Sequence, residues 1–245
     1  MIKAFIFDLD GTLVQTEIMK AHSYALAAME LKPGKIKKHK IIEEYKKLVG
    51  RSRQEVAKSL LNKFYLNNEA VKRLDEFKTG EAWEVFVKIR LNYYFEFLNN
   101  PRILSTVICP HTTALLKKVK SQNYKTALAT TSHNDEASKV LDILELTDLF
   151  DFIATRDLIE KSKPDPEIYD LVLSKLNIFP EECIAIEDSV TGIKSAIAAK
   201  INCIAVPNAY TSNSVNNSNL ISEKWIINRP ELLSNLVNDI LTSLK

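Results

Sequence analysis

Two carboxylates two positions apart close an apolar run at residues 4 to 14, Ala-Phe-Ile-Phe-Asp-Leu-Asp-Gly-Thr-Leu-Val. Side chains alternate along a strand, so Asp8 and Asp10 leave its end pointing broadly the same way. Like charges that close need a nearby cation, and the pair suits a division of labour between a nucleophile and a proton donor. In that reading Asp8 attacks phosphorus and carries an aspartyl-phosphate. Asp10 protonates the leaving oxygen and later takes a proton from the attacking water. Gly11 permits a sharp turn, and the Thr12 hydroxyl is expected to tie it down. A strand end closed by an Asp-rich turn carries the same residues, so the cluster alone does not decide its use.

Three later segments offer what such a phosphoenzyme needs. Thr130-Thr131-Ser132 follows the run KTALA and precedes a helical stretch, so its hydroxyls and backbone N–H groups can bind phosphate oxygens. Ser and Thr are also ordinary helix N-caps. Lys161-Ser162-Lys163-Pro164-Asp165-Pro166 contains two lysines able to offset charge on Asp8 and the transferring group. Glu187-Asp188-Ser189 ends another apolar run; with Asp8 it makes a carboxylate set suited to Mg²⁺, although an acidic pair there also serves a helix N-terminus.

The elements that must position these residues follow from periodicity. From about residue 15 to Asn100 the pattern is helical: Trp83, Phe86, Val87, Arg90, Tyr93, Tyr94, Phe97 and Leu98 form one three-four stripe, and Val56, Leu60, Leu61 and Phe64 another. Both read as the core of an all-helical unit. From about Arg102 short β-rich runs alternate with helices. Strands are expected at Thr126–Thr130, Phe150–Ala154, Cys183–Glu187 and Cys203–Val206. Helices are expected from Pro110 to about Gln122, at Asn134–Glu145, at Pro166–Leu176 and at Val190–Lys200. The polar stretch 208–222 reads as a loop, Trp225–Ile227 as a last strand and Glu231–Leu244 as a last helix. Such alternation predicts an α/β fold, a Rossmann-like parallel sheet flanked by helices that the N-terminal strand must join. The domains are then 1–14 plus 101–245 as the α/β core and 15–100 as an inserted helical cap. Ligands bind at the carboxyl ends of parallel strands, so the cap would emerge beside Asp8 and Asp10 as a lid.

At 245 residues, 46% of them hydrophobic, the chain is long enough for a large core. A net charge of +2 gives no case for a nucleic-acid or membrane partner. The five lysines in 32–40 read as a solvated linker, with nucleic-acid binding on a non-catalytic fold ranked third among the functions. Cys109, Cys183 and Cys203 lack metal or redox spacing and read as small buried hydrophobes in a reducing compartment. With an acidic residue as early as position 8 and no long apolar stretch, a cytoplasmic protein is expected, monomeric or weakly dimeric.

The segment FDLDGTLV resembles the first motif of the haloacid dehalogenase-like (HAD) superfamily, and the later segments resemble its other motifs in order: Thr130, Lys163-Pro164, and Glu187-Asp188. The resemblance selects Lys163 over Lys161. It implies that Asp8, Asp188, Glu187 and the backbone carbonyl of Asp10 hold Mg²⁺, leaving the Asp10 side chain for proton transfer. Gly11, Gly50 and Gly192 also fall where the family tends to have glycine. The second Asp speaks against dehalogenation and for phosphoryl transfer.

The Glu187-Asp188-Ser189 form is similar to the subgroup holding sugar-phosphate phosphatases and β-phosphoglucomutase. Gly50-Arg51-Ser52-Arg53 resembles that subgroup's specificity loop, so Arg53 is expected to hold a second anionic group of the substrate. Thr131, Ser132 and Asn134 complete the expected phosphate contacts. Gln15 and Lys20 depart from the mutase pattern, and His133 stands where a mutase usually has Lys. The expectation is a Mg²⁺-dependent phosphatase of small phosphorylated metabolites, with a phosphohexomutase as the alternative.

Overall fold

The computed structural model describes residues 1–49 and 51–243, so Gly50 and the expected helix end at Leu244 lie outside the described residues. Packing divides the chain into two compact units: Met1–Gln15 with Leu104–Lys245, and Thr16–Ile103.

Five strands form the sheet of the first unit among the described residues: β1 (Ala4–Phe7), β2 (Lys125–Ala129), β3 (Phe152–Ala154), β4 (Cys183–Glu187) and β5 (Asn202–Ala205). They are all parallel, in the order β3-β2-β1-β4-β5. β1 is central, pairing Phe7 with Leu128 on one side and Ile186 on the other. A strand covered on both faces needs continuous apolar sequence, and all four residues of β1 are buried. The chain winds outward from β1 in one direction through β2 and β3, then restarts on its other side with β4 and β5. That reversal places the crevice of a doubly wound sheet at the carboxyl ends of β1 and β4, where Asp8 and Glu187 stand.

The second unit contains α1 (Thr16–Leu31), α2 (Lys38–Lys46), α3 (Arg53–Lys63), α4 (Asn67–Val71), α5 (Leu74–Phe77) and α6 (Ala82–Leu98). Its core joins Tyr24, Tyr45, Leu60, Leu61 and Phe86. Along α6 the residues Phe86, Val87, Arg90, Tyr94 and Leu98 of the expected stripe are buried, while Trp83, Tyr93 and Phe97 are half-buried. Arg90 is tolerated there because its guanidinium lies 5.2 Å from the Tyr24 ring centre and 4.4 Å from that of Tyr94. A capping box starts α3: the Ser52 hydroxyl accepts from the Glu55 N–H, and the Glu55 carboxylate accepts from the Ser52 N–H.

The remaining helices are α7 (Pro101–Thr106), α8 (Pro110–Ser121), α9 (Asn134–Ile143), α10 (Glu167–Leu176), α11 (Val190–Ala198), α12 (Ser212–Asn216) and α13 (Leu233–Ser243). α8 opens on Pro110, where the missing N–H costs nothing. Tyr169 and Val172 of α10 and Ile193 and Ala196 of α11 pack with Ile6, Ala127 and Ala185 of the sheet. No helix among the described residues is long and apolar enough to cross a membrane.

Most expected elements form with ends displaced by no more than two residues, but two stretches after β5 differ in kind. Trp225–Ile227 is not a strand: residues Glu223–Trp225 make a turn of 3-10 helix, and the chain touches the sheet through one bridge, Ala205 to Ile226. β5 ends at Ala205, which leaves no further ladder for it to join. The expected loop 208–222 contains α12, because Val215 is fully buried and the Asn208 carbonyl accepts from the N–H groups of Thr211 and Ser212.

Phe86 lies at the centre of the helical unit's core. Phe86→Ala is expected to lower stability by about 3–5 kcal/mol, the range for emptying a buried aromatic site. Urea denaturation followed by helical circular dichroism checks this, and a loss below about 1 kcal/mol would contradict the packing described.

Candidate active site

β1 delivers Asp8 one residue past its end, and the Asp8 N–H donates to the Ile186 carbonyl at 3.0 Å, fixing it beside β4. The chain then turns on itself: the Leu13 and Val14 N–H groups donate to the Leu9 carbonyl at 2.9 and 3.1 Å, with Gly11 at φ +91°. The Thr12 hydroxyl does not tie this turn, contrary to expectation; it is buried without a hydrogen-bond partner. Thr112 takes the role from α8, its hydroxyl donating to the Thr12 carbonyl.

Lys163, carried on the segment before α10, occupies the middle of the site. Its Nζ donates to Asp8 Oδ1 at 2.8 Å, to the Ala129 carbonyl at 2.8 Å and to Glu187 Oε1. Lys161 instead lies at the surface near Asp165. The side chains of Lys163, Asp8 and Glu187 are 5%, 9% and 1% exposed, so these charges interact with little water between them. The Tyr169 hydroxyl also donates to Glu187 Oε1, at 2.7 Å. Burial pushes the Asp8 carboxyl up to about 7 from an ordinary 3.8; Lys163 opposes this, while Glu187 and Asp10 add to it. Burial works against the Lys163 charge too, but the Asp8 and Glu187 carboxylates outweigh it and raise its pKa, so it stays an ammonium.

Asp8, Glu187 and Asp188 each offer a ligand oxygen within 4.8 Å of the others, all three residues being buried. One lysine cannot balance this many carboxylates. Glu187 Oε2 is buried without a partner. An oxygen-only donor set, an excess of negative charge and an orphaned carboxylate oxygen together fit a small hard divalent cation.

The Ser132 hydroxyl donates to Asp10 Oδ2, and the Ser132 N–H to Thr130 Oγ1 at 3.0 Å. Thr130 is thus fully buried at the end of β2, while Thr131 is exposed. Asn134 opens α9, its N–H held by Asp157 Oδ2 at 2.6 Å, and His133 Nδ1 lies 2.6 Å from Asp157 Oδ1. Arg53 belongs to the helical unit, half-buried at the first position of α3 and counted among the positive charges acting on Tyr24.

Residues 5–206 match the family described as haloacid dehalogenase-like hydrolase. The chain belongs to that family. It is 29% identical over 244 residues to the phosphorylated carbohydrates phosphatase of Thermotoga maritima, covering 98% of this chain and 100% of that one. It is also 29% identical over 205 residues to the β-phosphoglucomutase of Bacillus subtilis, covering 84% and 83% of the two chains. Among solved structures, the β-phosphoglucomutase of Clostridium difficile is similar with a TM-score of 0.70 at 28% identity, covering 99% of this chain and 100% of that one.

In this member of the haloacid dehalogenase-like family two glycines leave room for the acidic side chains. A Cβ on Gly192 would sit 1.9 Å from Glu187 Oε2, and one on Gly11 would sit 2.3 Å from Asp188 Oδ2. Neither distance is open to a real side chain, so both carboxylates fold down against bare backbone. Sequence reasoning missed two residues altogether. Asn208 Nδ2 donates to Asp188 Oδ2 at 2.7 Å and the Thr211 hydroxyl to the same oxygen at 3.3 Å. Both lie in or beside a low-complexity polar stretch, where an Asn or Thr that holds a carboxylate looks like any other. Their place just after β5, at the same sheet end as the other motifs, was the available signal.

Two outcomes follow. Ala is about 1 kcal/mol better than Gly inside a helix, so Gly192→Ala would stabilise α11 if the space were open. The contact with Glu187 reverses the sign, and a net loss of ~1–3 kcal/mol is expected in denaturant unfolding. The second concerns pH in the presence of a chelator. A carboxyl that binds its proton more tightly when folded stabilises the fold fully below its unfolded pKa and loses that contribution as pH rises through the folded one. Asp8 should therefore make stability fall between about pH 4 and pH 7, its ordinary and folded values. Asp8→Asn should flatten the profile there; an unchanged slope would show that Asp8 does not titrate in this window.

Proposed function

We propose that the protein is a Mg²⁺-dependent phosphatase of small phosphomonoesters, with sugar phosphates as the substrate class. The observation that carries this reading is the buried Lys163 ammonium joined to both Asp8 and Glu187, with Asp188 completing an oxygen set beside the same Asp8. A nucleophilic carboxylate must be ionised, and burial alone would keep Asp8 protonated near neutral pH. Lys163 offsets that burial. Bound Mg²⁺, held by Asp8, Glu187, Asp188 and the Asp10 carbonyl, would add positive charge against Asp8 and the phosphoryl oxygens.

Asp8 attacks phosphorus, forming an acyl-phosphate bond as the ester P–O bond breaks, and Asp10 gives its proton to the departing alkoxide. Water then attacks the phosphoryl group, Asp10 takes the water's proton, and Asp8 is regenerated as inorganic phosphate leaves. The Ser132 hydroxyl holds Asp10 toward the end of β2. Thr130, Thr131 and Asn134 are the proposed phosphate contacts from that strand end. Arg53 is the proposed contact for a second anionic group on the substrate, since a guanidinium binds phosphate through two parallel hydrogen bonds. The relatives named β-phosphoglucomutase support a second reading, in which a sugar phosphate rather than water takes the phosphoryl group from Asp8. His133 stands where the resemblance to mutases calls for Lys, and that departure favours hydrolysis.

Phosphate release across a panel of sugar phosphates, nucleotides and phosphoglycolate with Mg²⁺ tests the reading. Asp8→Asn should reduce release by on the order of 10³ or more, as loss of a covalent nucleophile does. Conversion of β-glucose 1-phosphate to glucose 6-phosphate with little release would establish the mutase reading instead. Arg53→Ala should raise KM about tenfold or more on substrates with a second anionic group, since a hydrogen bond to a charged group contributes ~1.5–3 kcal/mol. An unchanged KM on all of them would remove Arg53 from the site.

A further inference from the structure

Asp188 is held by a device that neither the family motifs nor the sequence pattern identifies. Asn208 stands three residues past β5, and its side-chain amide cannot turn over, because Oδ1 accepts from the Tyr210 N–H at 2.8 Å. Nδ2 is thereby directed at Asp188 Oδ2, 2.7 Å away, and at the Gly11 carbonyl, 3.3 Å away. The turn that fixes Asn208 is closed from the far side: the Asn208 N–H donates to Thr211 Oγ1 at 3.1 Å, and the Thr211 and Ser212 N–H groups donate to the Asn208 carbonyl at 3.1 and 2.8 Å. Thr211, 4% exposed, adds its own hydroxyl to Asp188 Oδ2 at 3.3 Å. Gly11 presses on the same oxygen from the third side.

We propose that Asn208, seconded by Thr211, is a positioning residue for the cation, fixing the rotation of the Asp188 carboxylate and locking it to the turn that follows Asp8 and Asp10. Two donors on one oxygen leave the carboxylate a single orientation before any cation arrives. The bond to the Gly11 carbonyl makes that orientation common to the ends of β1, β4 and β5. Asn208 touches neither the reacting phosphorus nor, in this reading, the cation; it acts through Asp188. The inference rests on the divalent-cation reading of the Asp8, Glu187 and Asp188 set.

The test is the affinity of the full chain for Mn²⁺ alone, followed by electron paramagnetic resonance without any phosphoester. Asn208→Ala is expected to weaken binding about tenfold or more, the usual cost of losing a group that orients a metal-binding carboxylate. Thr211→Val should weaken it to a smaller degree, and Thr211→Ser should restore it. In turnover the Asn208→Ala variant should need more Mg²⁺ for half-maximal rate and recover most of its kcat when Mg²⁺ saturates. Wild-type Mn²⁺ affinity in Asn208→Ala would overturn the proposal. If that variant does not fold, equal affinities in Thr211→Val and Thr211→Ser would overturn it. A wild-type chain that binds no Mn²⁺ would overturn it together with the cation reading. Tight Mn²⁺ binding with no phosphate release would sink the phosphatase reading and leave the Mn²⁺ comparison to decide this one.

Discussion

The rest of the structure is arranged around one difficulty: two carboxylates and one ammonium buried together. Isolated charges cost several kcal/mol each to bring out of water, and they stay ionised only if their partners reach every one of them. Lys163 reaches Asp8, Glu187 and the Ala129 carbonyl, which accounts for all three ammonium protons. Those acceptors come from the ends of β1, β4 and β2, so the lysine works only where three parallel strands end side by side. The strand order β3-β2-β1-β4-β5 provides that place. Burial raises Asp8 to about 7, with the neighbouring Glu187 and Asp10 charges adding to it and Lys163 offsetting it only in part. A divalent cation beside Asp8 would reverse this pressure and return the carboxylate to its ionised form.

Close packing acts together with hydrogen bonds and the Lys163 charge to decide where the other acidic groups point. Glu187 has one oxygen shared by Lys163 and Tyr169 and the other pressed toward Gly192. Asp188 has an oxygen held between Gly11, Asn208 and Thr211. Consecutive residues leaving a strand point in opposite directions. Glu187 therefore takes its partners from α10 and the segment before it, and Asp188 from the β1 turn and the loop after β5. Each carboxylate needs a neighbour without a side chain, which explains why two of the few glycines in the chain fall at these positions.

How much of this was legible in the sequence depends on whether a residue's role was written in its neighbours. β1 and β4 could be read because a strand buried on both faces must be continuously apolar, and Cys183–Glu187 forms with the expected bounds. Asp8, Glu187 and Asp188 could be read because carboxylates at successive strand ends are costly unless used, whereas Lys163 was chosen over Lys161 only through the family resemblance. Thr12 misled, since a hydroxyl after a glycine suggests a local tie, while the actual tie, Thr112, lies 100 residues away and leaves no local trace. Asn208 and Thr211 were hidden by composition, and α12 by a polar run in which Val215 is the apolar anchor. In each miss a tertiary partner decided the role and local pattern was silent.

The helical unit obeys a different constraint. Its core of Tyr24, Tyr45, Leu60, Leu61 and Phe86 is closed by its own helices, and its buried cation, Arg90, lies against the rings of Tyr24 and Tyr94 within that unit. Glu17 is likewise held inside it, accepting from the Tyr45 hydroxyl and from Lys20 at 2.9 Å. The packing of this unit is therefore set by contacts among its own helices.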